Sequence, residues 1–121
     1  TTRPEALCTI PFASNQWWLD GRRKQLIVRC SRRLSRREPV AVLGQTDING
    51  VPRRNRRISR RRAYTVAHVL RREGRTVTVV RGLGARTPRC DDGPRRARCN
   101  RRVEVWSMAA LRAWKKAGRP W

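Results

Sequence analysis

The sequence has few of the residues on which catalytic and metal sites usually depend. It contains a single His, and none of its four Cys stand at the C-x2–4-C spacing typical of zinc sites. His68 falls beside apolar neighbours in a predicted helix. No G-x-S-x-G motif and no paired carboxylates in a plausible cleft accompany it. We therefore expect neither an enzyme nor a metal protein, and no cofactor.

Long apolar runs are also missing. No uninterrupted apolar segment approaches the roughly 20 residues that span a bilayer. The length of 121 residues and the 38% hydrophobic content fit one compact domain with a single core. The chain opens with Thr-Thr-Arg-Pro-Glu, without Met or a signal peptide. Such an opening is typical of a processed or excised chain.

Acidic residues and lysine are scarce, whereas arginine is abundant. The 31 basic residues outnumber 8 acidic ones, giving a net charge of +23, and 28 of the basic residues are Arg. Such a charge attracts polyanions in general. However, nucleic-acid binders more often mix Arg with Lys, and GC-rich codon usage also enriches Arg on solvated surfaces. The sequence therefore predicts nonspecific polyanion attraction without a specific nucleic-acid partner, and a basic nucleic-acid-binding protein is the alternative hypothesis.

Alternating strand and helix patterns predict the order β-α-β-α-β-loop-β. The predicted strands cover residues 7–12, 40–43, 76–80 and 102–106. One helix is expected from the cap Asp20 to about Arg37, and a second from the cap Ser59 to Gly74. Each helix has one apolar stripe. The prediction is thus an α/β fold, an α+β sandwich in which a four-stranded mixed sheet is covered on one face by two helices.

The character of the chain changes near residue 107. We expect residues 1–106 to form the domain and residues 107–121 to form a basic C-terminal tail or terminal helix. Met108, Leu111 and Trp114 stand at helical spacing. This spacing is typical of a docked or frayed helix, and the alternative is a tail that contacts a partner or a membrane.

An even number of cysteines without metal spacing favours an oxidising compartment. Cys90 and Cys99 bracket a polar loop, so we predict a disulfide that closes it. Cys8 lies in a predicted strand and Cys30 on the apolar face of a predicted helix. These two either pair or remain separate buried thiols.

Five motifs in order carry a resemblance to a known family. Residues 42–50 read VLGQTDING, and residues 55–63 read NRRISRRRA. Residues 12–15 (FASN), 82–88 (GLGARTP) and 100–105 (NRRVEV) are the other three. Together they resemble the OmpA-like signature, whose centre is G-x-T-D-x-x-G followed by N-x-x-L-S-x-x-R-A. The resemblance spans nearly the whole domain and implies an OmpA-like peptidoglycan-binding fold.

The chain departs from that family in three ways. Gln45 stands where His is common, and Ala85 stands where an acidic residue often follows G-x-G. The helix that follows Gly50 is also unusually dense in arginine. Neighbouring guanidinium groups therefore compete for the position that the motif spacing assigns to Arg62.

What the resemblance implies about function is specific. OmpA-like domains bind the peptide stem of peptidoglycan through diaminopimelate, whose side chain ends in an ammonium and a carboxylate group. Asp47 would bind the ammonium and Arg62 the carboxylate, since charge-assisted hydrogen bonds favour such a two-point match. A lysine-type stem would leave Arg62 unpaired, which is costly. The alternative is that Asp47 and Arg62 only form a salt bridge between loop and helix.

Four further residues match motif positions around this pocket, either as ligand contacts or as loop and cap hydrogen bonds: Asn15, Thr46, Asn55 and Arg101. The resemblance implies a non-catalytic anchor that attaches an envelope protein or a secretion-type assembly to the wall. It also implies other envelope proteins as partners, in the periplasm of a Gram-negative bacterium at the cell wall or outer membrane. A third hypothesis is a structural subunit of an envelope complex that has lost wall binding.

Overall fold

A computed structural model describes residues 5–85 and 97–118 of the chain. Its elements are, in chain order, β1 (Cys8–Pro11), α1 (Gly21–Arg33), β2 (Val40–Gln45), α2 (Pro52–Arg72), β3 (Val77–Gly82), α3 (Ala97–Asn100), β4 (Arg102–Ser107) and α4 (Met108–Lys116). Within these residues, no helix combines the length and the apolar character that crossing a membrane requires.

The four strands form one mixed sheet in the order β1-β4-β2-β3. β2 and β3 run parallel, which requires the crossover that α2 provides. β4 lies between β1 and β2 and is antiparallel to both. The predicted four-stranded mixed sheet is confirmed. The central position of β4 could not be read from the chain order, because β4 is the last strand in sequence.

Two helices cover one face of the sheet, as predicted. The apolar stripes of α1 and α2 pack on Val42, Val103 and Val105, which alternate along β2 and β4. Asp20 caps α1 through a hydrogen bond from the backbone N–H of Arg23 (2.9 Å). The predicted cap is therefore confirmed, although α1 ends at Arg33 rather than near Arg37.

The second helix begins seven residues before the predicted cap Ser59. α2 starts at Pro52, and proline is favoured at the first helical position because its missing N–H would be unpaired there anyway. Ser59 is buried inside the helix, where its hydroxyl donates to the carbonyl of Arg56 and accepts from the N–H of Gly84. The predicted start of the second helix at the cap Ser59 is therefore wrong. Arg62 lies near the middle of α2.

Two glycines allow α2 to lie unusually close to the sheet. A Cβ atom on Gly44 would overlap the carbonyl oxygen of Ser59, and one on Gly82 would overlap the backbone N of Arg60. Gly44 is in β2 and Gly82 is in β3, so the helix crosses two adjacent strands at this point. Close contact here holds the first half of α2 against the end of β2.

The opposite face of the sheet packs against α4. Met108, Leu111 and Trp114 are buried with Trp106 and Leu43 in a second apolar cluster. The terminal segment therefore contains a docked helix, which was one of the two predicted alternatives.

The same face holds a buried polar cluster. The Glu104 carboxylate accepts hydrogen bonds from Gln45 Nε2 (3.2 Å), Arg102 Nε (3.0 Å) and Trp106 Nε1 (3.2 Å). Glu104 and Arg102 are 1% and 2% exposed, so each charge is compensated inside the protein. Gln45 thus links β2 to β4.

Cys8 and Cys30 form a disulfide between β1 and α1, with 5.9 Å between their Cα atoms. This resolves the open alternative for these two residues in favour of pairing. A bridge across 22 residues stabilises the fold by about 3 kcal/mol in the chain-entropy treatment. The predicted Cys90–Cys99 bridge remains a prediction, because Cys90 lies outside the described residues.

Candidate functional site

A cavity of about 240 Å³ lies at the carboxyl end of β2. Its walls come from the turn after β1, the loop between β2 and α2, the first half of α2, and the residue before β4. The structure places all six residues predicted for ligand binding in its lining: Asn15, Thr46, Asp47, Asn55, Arg62 and Arg101. These residues are up to 86 positions apart in sequence, and only the fold brings them together.

The turn over residues 13–16 forms one wall. The N–H of Gln16 donates to the carbonyl of Ala13 (3.1 Å), and Asn15 has a positive φ of 58°. Asn tolerates this left-handed conformation better than most residues, since its short side chain can hydrogen-bond locally. Asn15 is therefore the kind of residue that the turn requires, in addition to its position at the cavity.

Asp47 is nearly buried, with 7% of its surface exposed. Its Oδ2 forms an ion pair with Nη1 of Arg101 (3.0 Å), and its Oδ1 accepts the backbone N–H of Asn49 (3.1 Å). Arg101 also donates through Nε to the carbonyl of Phe12 (3.2 Å). Asp47 therefore pairs with Arg101, and the alternative loop-to-helix salt bridge between Asp47 and Arg62 is not formed.

Arg62 is 1% exposed and is held by three backbone carbonyls. Its Nε donates to Gln16 (2.6 Å), its Nη1 to Gln45 (3.2 Å) and its Nη2 to Ala13 (3.0 Å). A guanidinium group has five N–H donors, so one N–H at each Nη is left for another acceptor. Arg62 thus fixes the turn wall to β2 and still contributes donors to the cavity.

The environment of Arg62 disfavours its charge. Burial, together with the nearby positive charges of Arg101 and Arg23, lowers the pKa of Arg62 to about 10, although the negative charge of Asp47 acts in the opposite direction. The guanidinium remains charged at neutral pH. A bound carboxylate would favour the charged form, so the site is electrostatically prepared for an anion.

Two polar side chains complete the floor of the cavity. The Thr46 hydroxyl is buried and has no hydrogen-bond partner among the described residues. The side-chain amide of Asn55 donates to the backbone carbonyl of Asp47 at 3.5 Å, a long contact. A buried hydroxyl without a partner is costly, and a ligand group in the cavity would supply one.

Sequence reasoning missed several other lining residues, including Ser14, Asn49, Gly50 and Arg54. Gly50 belongs to the sequence motif although it was not predicted to line the site, and its φ of +93° requires a glycine in the loop before α2. Arg54 could not be distinguished from its neighbours by sequence. Of the seven arginines at positions 53–62, Arg54 and Arg62 are the two that line this cavity.

The cavity therefore presents one carboxylate and three guanidinium groups, together with a free hydroxyl. This arrangement suits a ligand group that carries both an ammonium and a carboxylate. Among residues 5–85 and 97–118, no group of His, Cys, Asp or Glu side chains could hold a metal ion.

No protein-family model and no curated protein matches this sequence. Solved structures do match its fold. The peptidoglycan-associated lipoprotein from Burkholderia pseudomallei aligns with a TM-score of 0.73 at 19% identity, over 84% of this chain and 90% of that one. The cell wall anchor of the T6SS from Pseudomonas aeruginosa aligns with a TM-score of 0.70 at 24% identity, over 83% and 80%.

The OmpA-like domain of FopA1 from Francisella tularensis aligns with a TM-score of 0.62 at 20% identity, over 80% of this chain and 68% of that one. The chain therefore has the fold of OmpA-like domains, which confirms the fold that the sequence motifs predicted.

Proposed function

We propose that this chain binds the peptide stem of peptidoglycan without catalysis and anchors an envelope assembly to the cell wall. The observation that carries the proposal is the composition of the cavity, in which a carboxylate lies beside three guanidinium groups. The fold similarity to a peptidoglycan-associated lipoprotein and to a cell wall anchor supports it.

Diaminopimelate is the ligand residue that fits this cavity best. In the proposed complex, the Asp47 carboxylate accepts hydrogen bonds from the ligand ammonium, either alongside or in place of the Arg101 contact. The ligand carboxylate takes the remaining Nη donors of Arg62. A lysine-type stem, which lacks that carboxylate, would leave these buried donors unpaired and would bind more weakly.

The other lining residues have supporting roles in this proposal. The Thr46 hydroxyl gains a hydrogen bond from the ligand, and Asn55 holds the backbone of Asp47 in place. Asn15 shapes the turn that closes the cavity. Because peptidoglycan lies in the periplasm, we infer that this chain acts there, in a Gram-negative bacterium, beside other envelope proteins.

Co-sedimentation with diaminopimelate-type sacculi at moderately high salt tests the proposal. Wild-type protein should pellet, whereas Asp47→Asn should stay largely in solution, because the amide keeps the shape of the side chain but loses the charge that binds the ammonium. Asp20→Asn is the matched control. It removes the same charge from a residue outside the cavity lining, and Asn caps a helix as well as Asp does.

Asn is preferable to Ala at position 47, and Arg62 is a poor first target. Truncating Arg62 would remove three hydrogen bonds that join the turn wall and β2 to α2, so lost binding would be confounded with lost stability. If Asp47→Asn and wild type pelleted alike, the wall-binding proposal would fail. An envelope partner subunit or nucleic acid would then become the leading candidate.

A further inference from the structure

A groove of about 410 Å³ continues from the cavity along the first three turns of α2. The two share Asn15, Arg54 and Ile58 in their linings, so a ligand that leaves the cavity enters the groove directly. The remaining groove lining includes Trp17, Arg53, Arg57 and Arg61, and these side chains are exposed. The groove therefore extends the site away from Asp47 and toward solvent.

The charge of the groove has one sign. Four guanidinium groups line it, from Arg53, Arg54, Arg57 and Arg61, and no carboxylate among the described residues does. This contrasts with the cavity, where Asp47 provides a negative charge. The groove is thus complementary to anions alone, whereas the cavity suits a group that carries both charges.

The close spacing of these arginines on α2 is unfavourable in the free protein. Arg53 and Arg57, and likewise Arg57 and Arg61, are four residues apart on α2, where like charges destabilise a helix. Arg53 and Arg54 also lie in the first turn, at the positive end of the helix dipole, and the first turn contains no acidic residue. An anion in the groove would offset all of these repulsions at once.

An exposed aromatic ring stabilises one side of the groove. The guanidinium carbon of Arg61 lies 5.0 Å from the centroid of the Trp17 ring, in a cation–π contact. Trp18 packs edge-on against Trp17, with 6.0 Å between the ring centroids. This contact restrains the Arg61 side chain, which lowers the entropy that it would lose on binding an anion.

We propose that this groove binds the carboxylates of the peptide stem that lie outside the diaminopimelate side chain. The inference rests on the proposed function, because the groove is occupied only by a ligand whose end is bound in the cavity. The cavity and the groove then recognise two different parts of the same peptide. The cavity selects the ammonium-carboxylate group, and the arginines of α2 bind the anionic remainder of the same peptide.

Calorimetry with two soluble stem peptides tests this division. Both end in diaminopimelate; one has its other carboxylates free and the second has them amidated. Wild-type protein should bind the free-carboxylate peptide about fivefold or more tightly than the amidated one. The double variant Arg53→Gln/Arg57→Gln should lose this preference but keep its affinity for the amidated peptide.

The double variant Arg29→Gln/Arg33→Gln is the matched control. It removes the same charge from two exposed arginines that are also four residues apart, but on α1. We expect it to keep the full preference. If both double variants lost the preference equally, the effect would come from overall charge and the groove assignment would be overturned.

Asp47→Asn separates this inference from the proposed function. If it abolishes binding of both peptides while Arg53→Gln/Arg57→Gln leaves the preference unchanged, the cavity binds the stem and the groove assignment is overturned. If Asp47→Asn has no effect on either peptide, the proposed function itself fails. A single-stranded oligonucleotide that displaces the free-carboxylate peptide at equal concentration and ionic strength would overturn the inference in favour of nucleic acid.

Discussion

Arg62 combines a structural task with a proposed binding task in one side chain. Its three hydrogen bonds to Ala13, Gln16 and Gln45 join the turn wall, the strand and the helix around the cavity. Burying a guanidinium group is costly unless its donors are paired, and these carbonyls pair three of them. Because these three bonds restrain the group, the two remaining donors are held in place, and the proposed function has them bind a ligand carboxylate.

Thr46 offers a test in which stability and binding should move in opposite directions. Thr46→Val removes a buried hydroxyl that has no partner among the described residues. We expect the free energy of unfolding in urea to rise by up to about 1 kcal/mol. If the hydroxyl binds the ligand, affinity for the diaminopimelate peptide should fall about fivefold, the value of one hydrogen bond.

Thr65→Val is the control for that experiment. The Thr65 hydroxyl is already paired, since it donates to the carbonyl of Arg61 (2.7 Å), and it does not line the cavity. This variant should gain no stability and should bind the peptide as wild type does. Unchanged peptide affinity in Thr46→Val would remove Thr46 from the proposed binding set.

At the level of elements, α2 contributes four residues to the cavity lining, as many as the loop that precedes it. One edge of the helix faces the sheet through Ser59, Ala63 and Val66, while another carries Asn55 and Arg62 into the cavity. The distance between α2 and the sheet decides whether Arg62 reaches the backbone carbonyls that hold it. That distance is short because Gly44 and Gly82 have no side chains.

Gly44→Ala should therefore be strongly destabilising. The added methyl group would overlap the Ser59 carbonyl, and backbone atoms cannot move aside as the end of a flexible side chain can. We expect a loss of about 3 kcal/mol in the free energy of unfolding. Gly21→Ala is the control, because a Cβ atom there meets nothing within 4 Å. Equal stabilities for the two variants would contradict the close packing of α2 on β2.

At the level of the whole molecule, the proposed function combines two kinds of attraction to the cell wall. The net charge of +23 attracts any polyanion and is screened by salt. The proposed cavity interaction depends on buried, directed hydrogen bonds, which salt screens much less. Binding measured at low ionic strength would therefore reflect mainly the nonspecific attraction by the net charge.

Salt dependence should distinguish the two. Oligonucleotide affinity should fall by about 10³ between 50 and 200 mM salt if some six phosphates are neutralised. Retention on sacculi should fall by less than about tenfold over the same range, since the buried contacts are screened less. Asp47→Asn should reduce only the retention on sacculi. Parallel salt curves, with no effect of Asp47→Asn, would mean that both ligands are bound by nonspecific charge alone.

The sequence by itself determined the order of the four strands and of the first two helices, the Asp20 cap and six of the eleven residues that line the cavity. These properties depend on local spacing and on the residues inside each short motif. Prediction from the sequence failed where one residue type can occupy two different local positions. Ser59 can cap a helix or pack inside one, and only the contact with Gly44 and Gly84 decides between them.

The tertiary structure alone decided how the site residues are paired. The sequence left open a direct salt bridge between Asp47 and Arg62, yet Asp47 pairs with Arg101, 54 residues away, because β4 lies between β1 and β2. The packing of α1 on β1 joins Cys8 to Cys30, and the packing of α2 on the sheet assigns two of seven neighbouring arginines to the cavity. Ion pairs and disulfides depend on distances in space, and those distances are fixed by the packing of elements that are remote in sequence.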